Sequence, residues 1–239
     1  MLTDANNHLY QRVQQELERQ EEFNANVSHE LRTPIAVMHA QCQVSREVAE
    51  KKQDKEAIKS IEVFERQTNR MKNLVDQLLQ MTAIDRKGTT FSIEDIDVRD
   101  VIESACDDIA YIDTKHITFE YSLQPTIIQA NMNLIYIVIN NLLSNAVKYS
   151  NEGAKIYVSC GEKDGKSYIR IQDEGCGIEK ENISKIFESF YREKKDCNAE
   201  GFGLGLSQAM KIAELYGGGI YVESTKNKGS IFTFFIPKP

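Results

Sequence analysis

Apolar residues in the first third of the chain recur at helical spacing. Leu9, Val13 and Leu17 stand a turn apart, and Val27, Leu31, Ile35, Met38 and Cys42 continue the seam every three or four residues. The pattern predicts one long helix from about Ala5 to Ala49. Pro34 removes a backbone donor, so a bend is expected just after His29. Lys51-Lys52-Gln53-Asp54 reads as a polar turn, and a second helix follows from about Lys55 to Asp85. Ile61, Thr68, Met71, Val75, Leu78 and Thr82 mark its inner face, with Phe64, Leu74 and Leu79 beside them. A two-helix hairpin leaves half of each stripe uncovered. Burying one apolar side chain is worth roughly 1.5–3 kcal/mol, so several are enough to drive pairing. The expectation is an all-α helical hairpin that forms a four-helix bundle from two chains, a homodimer.

The pattern changes after Arg86-Lys87-Gly88-Thr89-Thr90. Period-two alternation predicts strands near Ser92–Asp97, His116–Ser122, Thr126–Gln129, Lys155–Gly161, Ser167–Asp173, Gly219–Ser224 and Ser230–Ile236. Helical spacing predicts helices at Val98–Ile112, Met132–Lys148 and Gly205–Tyr216. This reads as an α/β (α+β) sandwich, one sheet with helices over one face. Three domains are expected: an entry helix over 1–22, the hairpin over 23–88, and the sandwich over 89–239.

Composition narrows the function. The net charge of −7 argues against nucleic acid or an anionic membrane surface as the main partner. No run reaches the roughly 18 apolar residues of a membrane span, and Asn6, Asn7 and His8 break any secretory signal at the start. The five cysteines are scattered with no CxxC pair, which points to reduced thiols in a cytosolic compartment.

Chemistry concentrates in five places. On the first helix, His29 lies about 200° around the axis from both Val27 and Leu31, so it points away from the seam. Glu30 is beside it and Thr33 one turn on. For a lone His–Glu pair a solvated face is the commoner explanation; the rest of the chain changes that. Asn141, Asn145 and Lys148 share one face of the 131–149 helix at i, i+4, i+7, a pattern suited to Mg²⁺ through amide oxygens and to a phosphate through the ammonium. Asp173 ends a strand before Gly175-Cys176-Gly177, where a carboxylate can accept from an exocyclic amine such as adenine's and glycines permit close backbone approach. Phe187 and Phe190 read as anchors of a short helix in the core, followed by a polar, basic stretch at 193–200 that reads as a lid. Gly201-Phe202-Gly203-Leu204-Gly205-Leu206 enters a helix whose backbone N–H groups can meet an anion. No strand precedes these glycines and no GxxxxGK[ST] loop exists, which rules out Rossmann and P-loop readings.

Taken in order, these motifs resemble the transmitter region of sensor histidine kinases of two-component systems. His29-Glu30-Leu31-Arg32-Thr33-Pro34 is similar to that family's H box, Asn141 to Tyr149 to its N box, Asp173–Ile178 to G1, Phe187–Arg192 to the F box, Gly201–Leu206 to G2, and Gly229-Ser230 to its last glycine motif. The resemblance implies a dimerisation and histidine-phosphotransfer hairpin followed by an ATP-binding domain of the GHKL type. It implies ATP and Mg²⁺ as cofactors and a response-regulator receiver domain as partner. His29 would attack the γ-phosphate through Nε2, with Glu30 holding the Nδ1 proton. Asn141 would be the Mg²⁺ ligand and Asn145 its support. Lys148 would meet phosphate and Tyr149 would pack at the nucleotide. Asp173 would read the adenine amine, with Gly175 and Gly177 close to the ring. Arg192, Gly201, Gly203, Leu204 and Gly205 would serve the phosphate-facing lid. Thr33 matches the family's phosphatase position. The regulator is expected around Ala36 and Ala40 and the neighbouring second helix. Phe202 departs from the Thr or Ser often found there and brings no hydroxyl to phosphate. Cys176 occupies a variable slot and is expected only to pack. The family's sensor and membrane-spanning parts are absent from this sequence, so it is expected to be the cytoplasmic portion of a cell-membrane sensor, with the first helix as its input lever. The alternative is a nucleotide-switched ATPase or binding module of the same superfamily without autokinase activity.

Overall fold

The structure, a computed structural model, describes residues 31, 33–85, 91–113, 115–192 and 202–238. Contacts divide the chain into two compact units, Met1–Thr89 and Thr90–Pro239. Val27, His29, Glu30 and the expected bend after His29 lie outside the described residues, as do Gly201 and the 193–200 stretch.

In the first unit, residues 33–51 form helix α1 and Lys55–Asp85 form α2. The turn between them is a Schellman close. Gln53 takes φ 54°, its N–H donates to the Glu50 carbonyl, and the Asp54 N–H donates to that of Ala49. Asp54 then caps α2, its Oδ1 accepting from the Ala57 N–H at 3.0 Å. Arg46 ties the helices together through Glu65 at 2.6 Å and Glu62 at 3.4 Å. Ile35, Ala49, Thr68, Val75 and Met81 form the buried strip. The predicted seam was wider than this. Leu31 and Met38 are exposed, as are Phe64 and Met71 on α2. Two helices share one groove, so only residues along its floor are covered and the flanks of each stripe stay in water.

In the second unit, β1 (Glu94–Asp97) pairs antiparallel with β3 (Ile127–Ala130), Ile96 opposite Ile128. This is a separate two-stranded sheet, where the sequence pattern suggested a single one. The main sheet has the order β2-β4-β5-β7-β6, from Thr118–Leu123, Lys155–Lys163, Lys166–Asp173, Gly229–Pro237 and Gly219–Thr225. β2 runs parallel to β4 and the other neighbours are antiparallel. Asp164 and Gly165, both at positive φ, turn β4 into β5, as a two-residue hairpin requires.

Among the described residues, three helices complete the unit: α3 (Val98–Ile112), α4 (Met132–Tyr149) and α5 (Gly205–Leu215). α4 lies between α3 and α5 and packs on β5, and α5 packs on β6 and β7. Ile102, Ile139, Leu142, Leu143, Ile156 and Ile171 are closed off from solvent between the layers. Apart from the short helix expected around Phe187 and Phe190, each predicted helix and strand of this unit begins and ends within one or two residues of the observed element. Across β4, β5, β7 and β6 runs the row Gly161, Tyr168, Phe235, Gly219. The rings of Tyr168 and Phe235 lie over the two glycines, filling space that a Cβ would need.

Candidate functional site

Helix α4 carries one group of candidate residues and is fixed at both ends. Asn131 caps its start, with Oδ1 accepting from the Leu134 N–H at 3.2 Å and Nδ2 donating to Ser92. The Asn131 N–H itself donates to the Tyr216 hydroxyl at 2.9 Å. At the other end the Lys115 ammonium donates to the carbonyls of Val147, Lys148 and Ser150, at 3.0, 2.7 and 2.9 Å. Those carbonyls have no partner within the helix, and a cation suits the negative end of its dipole.

Asn141, Asn145 and Lys148 are half-buried on one face of α4, as the spacing predicted. Asn141 Nδ2 donates to Gln208 Oε1 at 3.3 Å, and its Oδ1 is turned to the first residue of α5. A Cβ on Gly205 would stand 2.8 Å from that oxygen. The Lys148 ammonium lies 5.1 Å from the centre of the Tyr149 ring, a cation–π contact.

Asp173 ends β5 with its carboxyl buried, only 5% exposed. Oδ1 accepts from the N–H of Gly175 at 2.8 Å and of Ser230 at 3.2 Å. Burial pushes this carboxyl above the ordinary aspartate value, and the two N–H donors pull it partly back. Ser230 is held in turn by Ser224, 2.9 Å away, whose hydroxyl also accepts from the Ile178 N–H. Gly175 and Gly177 have their own reasons to be glycine. A Cβ on Gly175 would meet the Tyr149 carbonyl at 2.4 Å, and Gly177 has φ 62° with the Thr225 carbonyl 2.1 Å from where a Cβ would be. The loop is thus pressed onto the end of α4, and the Cys176 N–H donates to the same Tyr149 carbonyl at 3.3 Å.

The segment 180–190 is a string of turns, so the expected short helix with two buried phenylalanines is corrected. Phe187 is half-buried, while Phe190 is 60% exposed at φ 65°. Its N–H donates to the Gly203 carbonyl at 2.9 Å, and this bond holds it in the left-handed region away from the core. Gly203, at φ 75°, leaves no space for a Cβ against the Tyr191 carbonyl. Arg192 is exposed, Phe202 half-buried and Leu204 buried. α5 begins at Gly205 with no side-chain cap, so its first N–H groups face outward unclaimed by the helix. In the hairpin, Thr33, Ala36 and Ala40 are all exposed on α1.

Two residues of this arrangement were not foreseen. Gln208 had a signal: Leu204, Gln208 and Ile212 are one helical stripe, and a polar residue between two buried ones asks for a partner. Lys115 had none, because its role depends on a loop reaching a helix end 32 residues away in sequence.

Comparisons with known proteins agree with this fold. Residues 19–87 match the family described as the His Kinase A (phospho-acceptor) domain. Residues 130–239 match the histidine kinase-, DNA gyrase B- and HSP90-like ATPase family. The sensor histidine kinase WalK of Bacillus subtilis is 35% identical over 237 residues, covering 96% of this chain and 39% of that protein. The chain belongs to the sensor histidine kinases. It spans about two-fifths of the length of the curated relatives it matches: the sensor protein RprX of Bacteroides fragilis, 32% identical, is covered over 44% of its length and 92% of this chain. Among solved histidine kinases, AdeS of Acinetobacter baumannii aligns with a TM-score of 0.62 at 25% identity, over 87% of this chain and 97% of that one. Full-length ShkA in complex with AMPPNP shares the fold, with a TM-score of 0.76 at 21% identity over 90% of this chain and 45% of that one. Among the described residues of this histidine kinase region, no helix is long and apolar enough to cross a membrane.

Proposed function

We propose that this chain autophosphorylates on His29 with ATP and passes the phosphoryl group to an aspartate of a response-regulator receiver domain. The observation that carries the reading is the pairing of two features on α4. At its Tyr149 end stands a buried carboxylate, Asp173, held to accept from an adenine amine. At its Asn141 end an amide oxygen faces the uncapped start of α5. Asn141 and Tyr149 are eight helical steps apart, about 12 Å along the axis, on the order of the reach from a nucleotide's base to its phosphates. Asn145, Lys148, Tyr149, Gly175 and Gly177 would line that path, with Arg192, Gly201, Gly203, Leu204 and Gly205 around the phosphates.

The donor set fits magnesium. Among the described residues no cluster of three His, Cys, Asp or Glu could hold a metal alone, so an ion here would share the Asn141 oxygen with phosphate oxygens, as Mg²⁺ commonly does. When bound, the ion neutralises charge on the phosphates. Asn141 supplies an oxygen, Lys148 a cation, and the start of α5 its backbone N–H groups. His29 Nε2 then forms a bond to the γ-phosphorus as the bond to the β,γ-bridging oxygen breaks, and ADP leaves with that electron pair. Glu30 takes the Nδ1 proton of the imidazolium.

In this reading residues 1–22 are the entry helix, 23–88 the dimerisation and phosphotransfer domain, and 89–239 the ATP-binding domain. The hairpin pairs with a second copy, and the receiver domain docks around Ala36 and Ala40. Thr33 orients water against the regulator's phosphoaspartate, giving phosphatase activity. The chain acts as the cytoplasmic portion of a membrane sensor. The test is incubation of the purified chain with Mg²⁺ and γ-labelled ATP. Acid-labile, base-stable label that disappears in His29→Ala is expected. Nucleotide binding with no label would leave the switch-type ATPase reading instead.

A further inference from the structure

Gln208 is the most deeply buried polar side chain on α5, 1% exposed between Leu204 and Ile212, which are equally closed off. An amide withdrawn from water is tolerated when its polar atoms are bonded. Its Oε1 reaches across to α4 and accepts from Asn141 Nδ2 at 3.3 Å. The bond decides something about Asn141. A side-chain amide has an oxygen and an NH₂ that exchange places on a half-turn about its last bond, and only the oxygen can ligate a hard cation. With Gln208 presenting Oε1, which can only accept, it claims the NH₂ side. The Asn141 oxygen is thereby left facing Gly205, where the missing Cβ leaves room for it.

We propose that Gln208 is a positioning residue that locks the Asn141 amide with its oxygen toward the nucleotide-bound divalent cation. The proposal rests on the Mg²⁺–nucleotide reading above. It predicts that Gln208 governs how strongly nucleotide binding responds to Mg²⁺, while binding without the metal does not depend on it. Asn141→Asp removes the need for orientation, because a carboxylate presents oxygen on either side.

The experiment is calorimetric titration of ADP into the whole chain, in EDTA and across a series of free Mg²⁺ concentrations. In Gln208→Leu the Mg²⁺ concentration giving half the effect should rise about tenfold or more, the usual cost of losing an outer-shell partner. Affinity in EDTA and the melting temperature should stay near wild type. Gln208→Met, closer in shape, carries the same expectation if the leucine variant folds poorly. Gln208→Glu, whose carboxylate accepts from Nδ2 and donates nothing, should keep the wild-type response. In an Asn141→Asp background, Gln208→Leu should no longer shift the curve. A wild-type Mg²⁺ curve in Gln208→Leu or Gln208→Met, a Gln208→Glu variant that behaves like leucine, or an undiminished shift beside Asn141→Asp would each overturn the proposal. If wild type binds ADP with no response to Mg²⁺, or binds no ADP at all, the underlying site reading falls and this proposal with it.

Discussion

The two units of this chain solve the problem of burial differently. In the sheet unit, strand and helix faces close on each other, and Ile102, Ile139, Leu142, Leu143 and Ile171 are shut off completely within one chain. In the hairpin unit the covered strip is narrow, and Leu31, Val37, Met38, Val44, Phe64 and Met71 stay exposed. The sheet unit closes its core within one chain. The hairpin leaves an apolar surface that asks for a second chain. Under the proposed function, nucleotide chemistry falls to the closed unit and assembly to the open one.

The largest expected effect tests the closed core. Leu142→Ala should destabilise the sheet unit by about 2–5 kcal/mol in denaturant unfolding, the range for a fully buried leucine. A loss below about 1 kcal/mol would mean that the layers pack loosely. Next comes the site within that core. Asp173→Asn should weaken ADP binding on the order of 100-fold, about 2.7 kcal/mol, because an NH₂ would face the adenine amine. Its carbonyl oxygen still accepts from Gly175 and Ser230, so unfolding should show no loss of stability. The pH dependence has a definite sign. The native Asp173 value is raised, so the neutral acid favours the fold below the ordinary aspartate range, and that contribution is lost as pH rises through the native value. ADP affinity should move the opposite way, falling as acid protonates the acceptor, and Asp173→Asn should flatten both curves.

Two smaller effects test the open half. Met38→Glu and Met71→Glu, at positions 43% and 44% exposed in one chain, should weaken self-association about tenfold or more in sedimentation while the sheet unit melts unchanged. Unaltered association would place the partner surface elsewhere on the hairpin. Smallest of all, Arg46→Met should lower the hairpin's melting temperature slightly by releasing Glu62 and Glu65, and the difference should shrink as salt is added.

The same contrast explains what could be read from the sequence. Strands such as β5 alternate cleanly between covered and open positions, so their ends were legible to within a residue or two. Pairing was not. Nothing in the local pattern says that β2 lies parallel to β4, or that β1 and β3 leave the main sheet to pair with each other. On the hairpin, the pattern puts Met71 on the inner face and Phe64 beside it, because periodicity reports a stripe and not the width of the groove that covers it. Phe190 was misread for a related reason: an i, i+3 aromatic pair implies a helix, but its hydrogen bond to Gly203 comes from outside the segment. The polar face of Asn141, Asn145 and Lys148 was visible at helical spacing. The glycine requirement at positions 175 and 177 was visible too, although its cause, the carbonyls of Tyr149 and Thr225, was not.

The two anchored ends of α4 carry a mechanical consequence. Ser92 and Tyr216 restrain Asn131 at one end, and Lys115 and Cys176 grip the last carbonyls at the other. Sliding this rod along its axis would break the bonds at both tips, so each of them opposes a shift of Asn141 past Gly205 or of Tyr149 past Gly175.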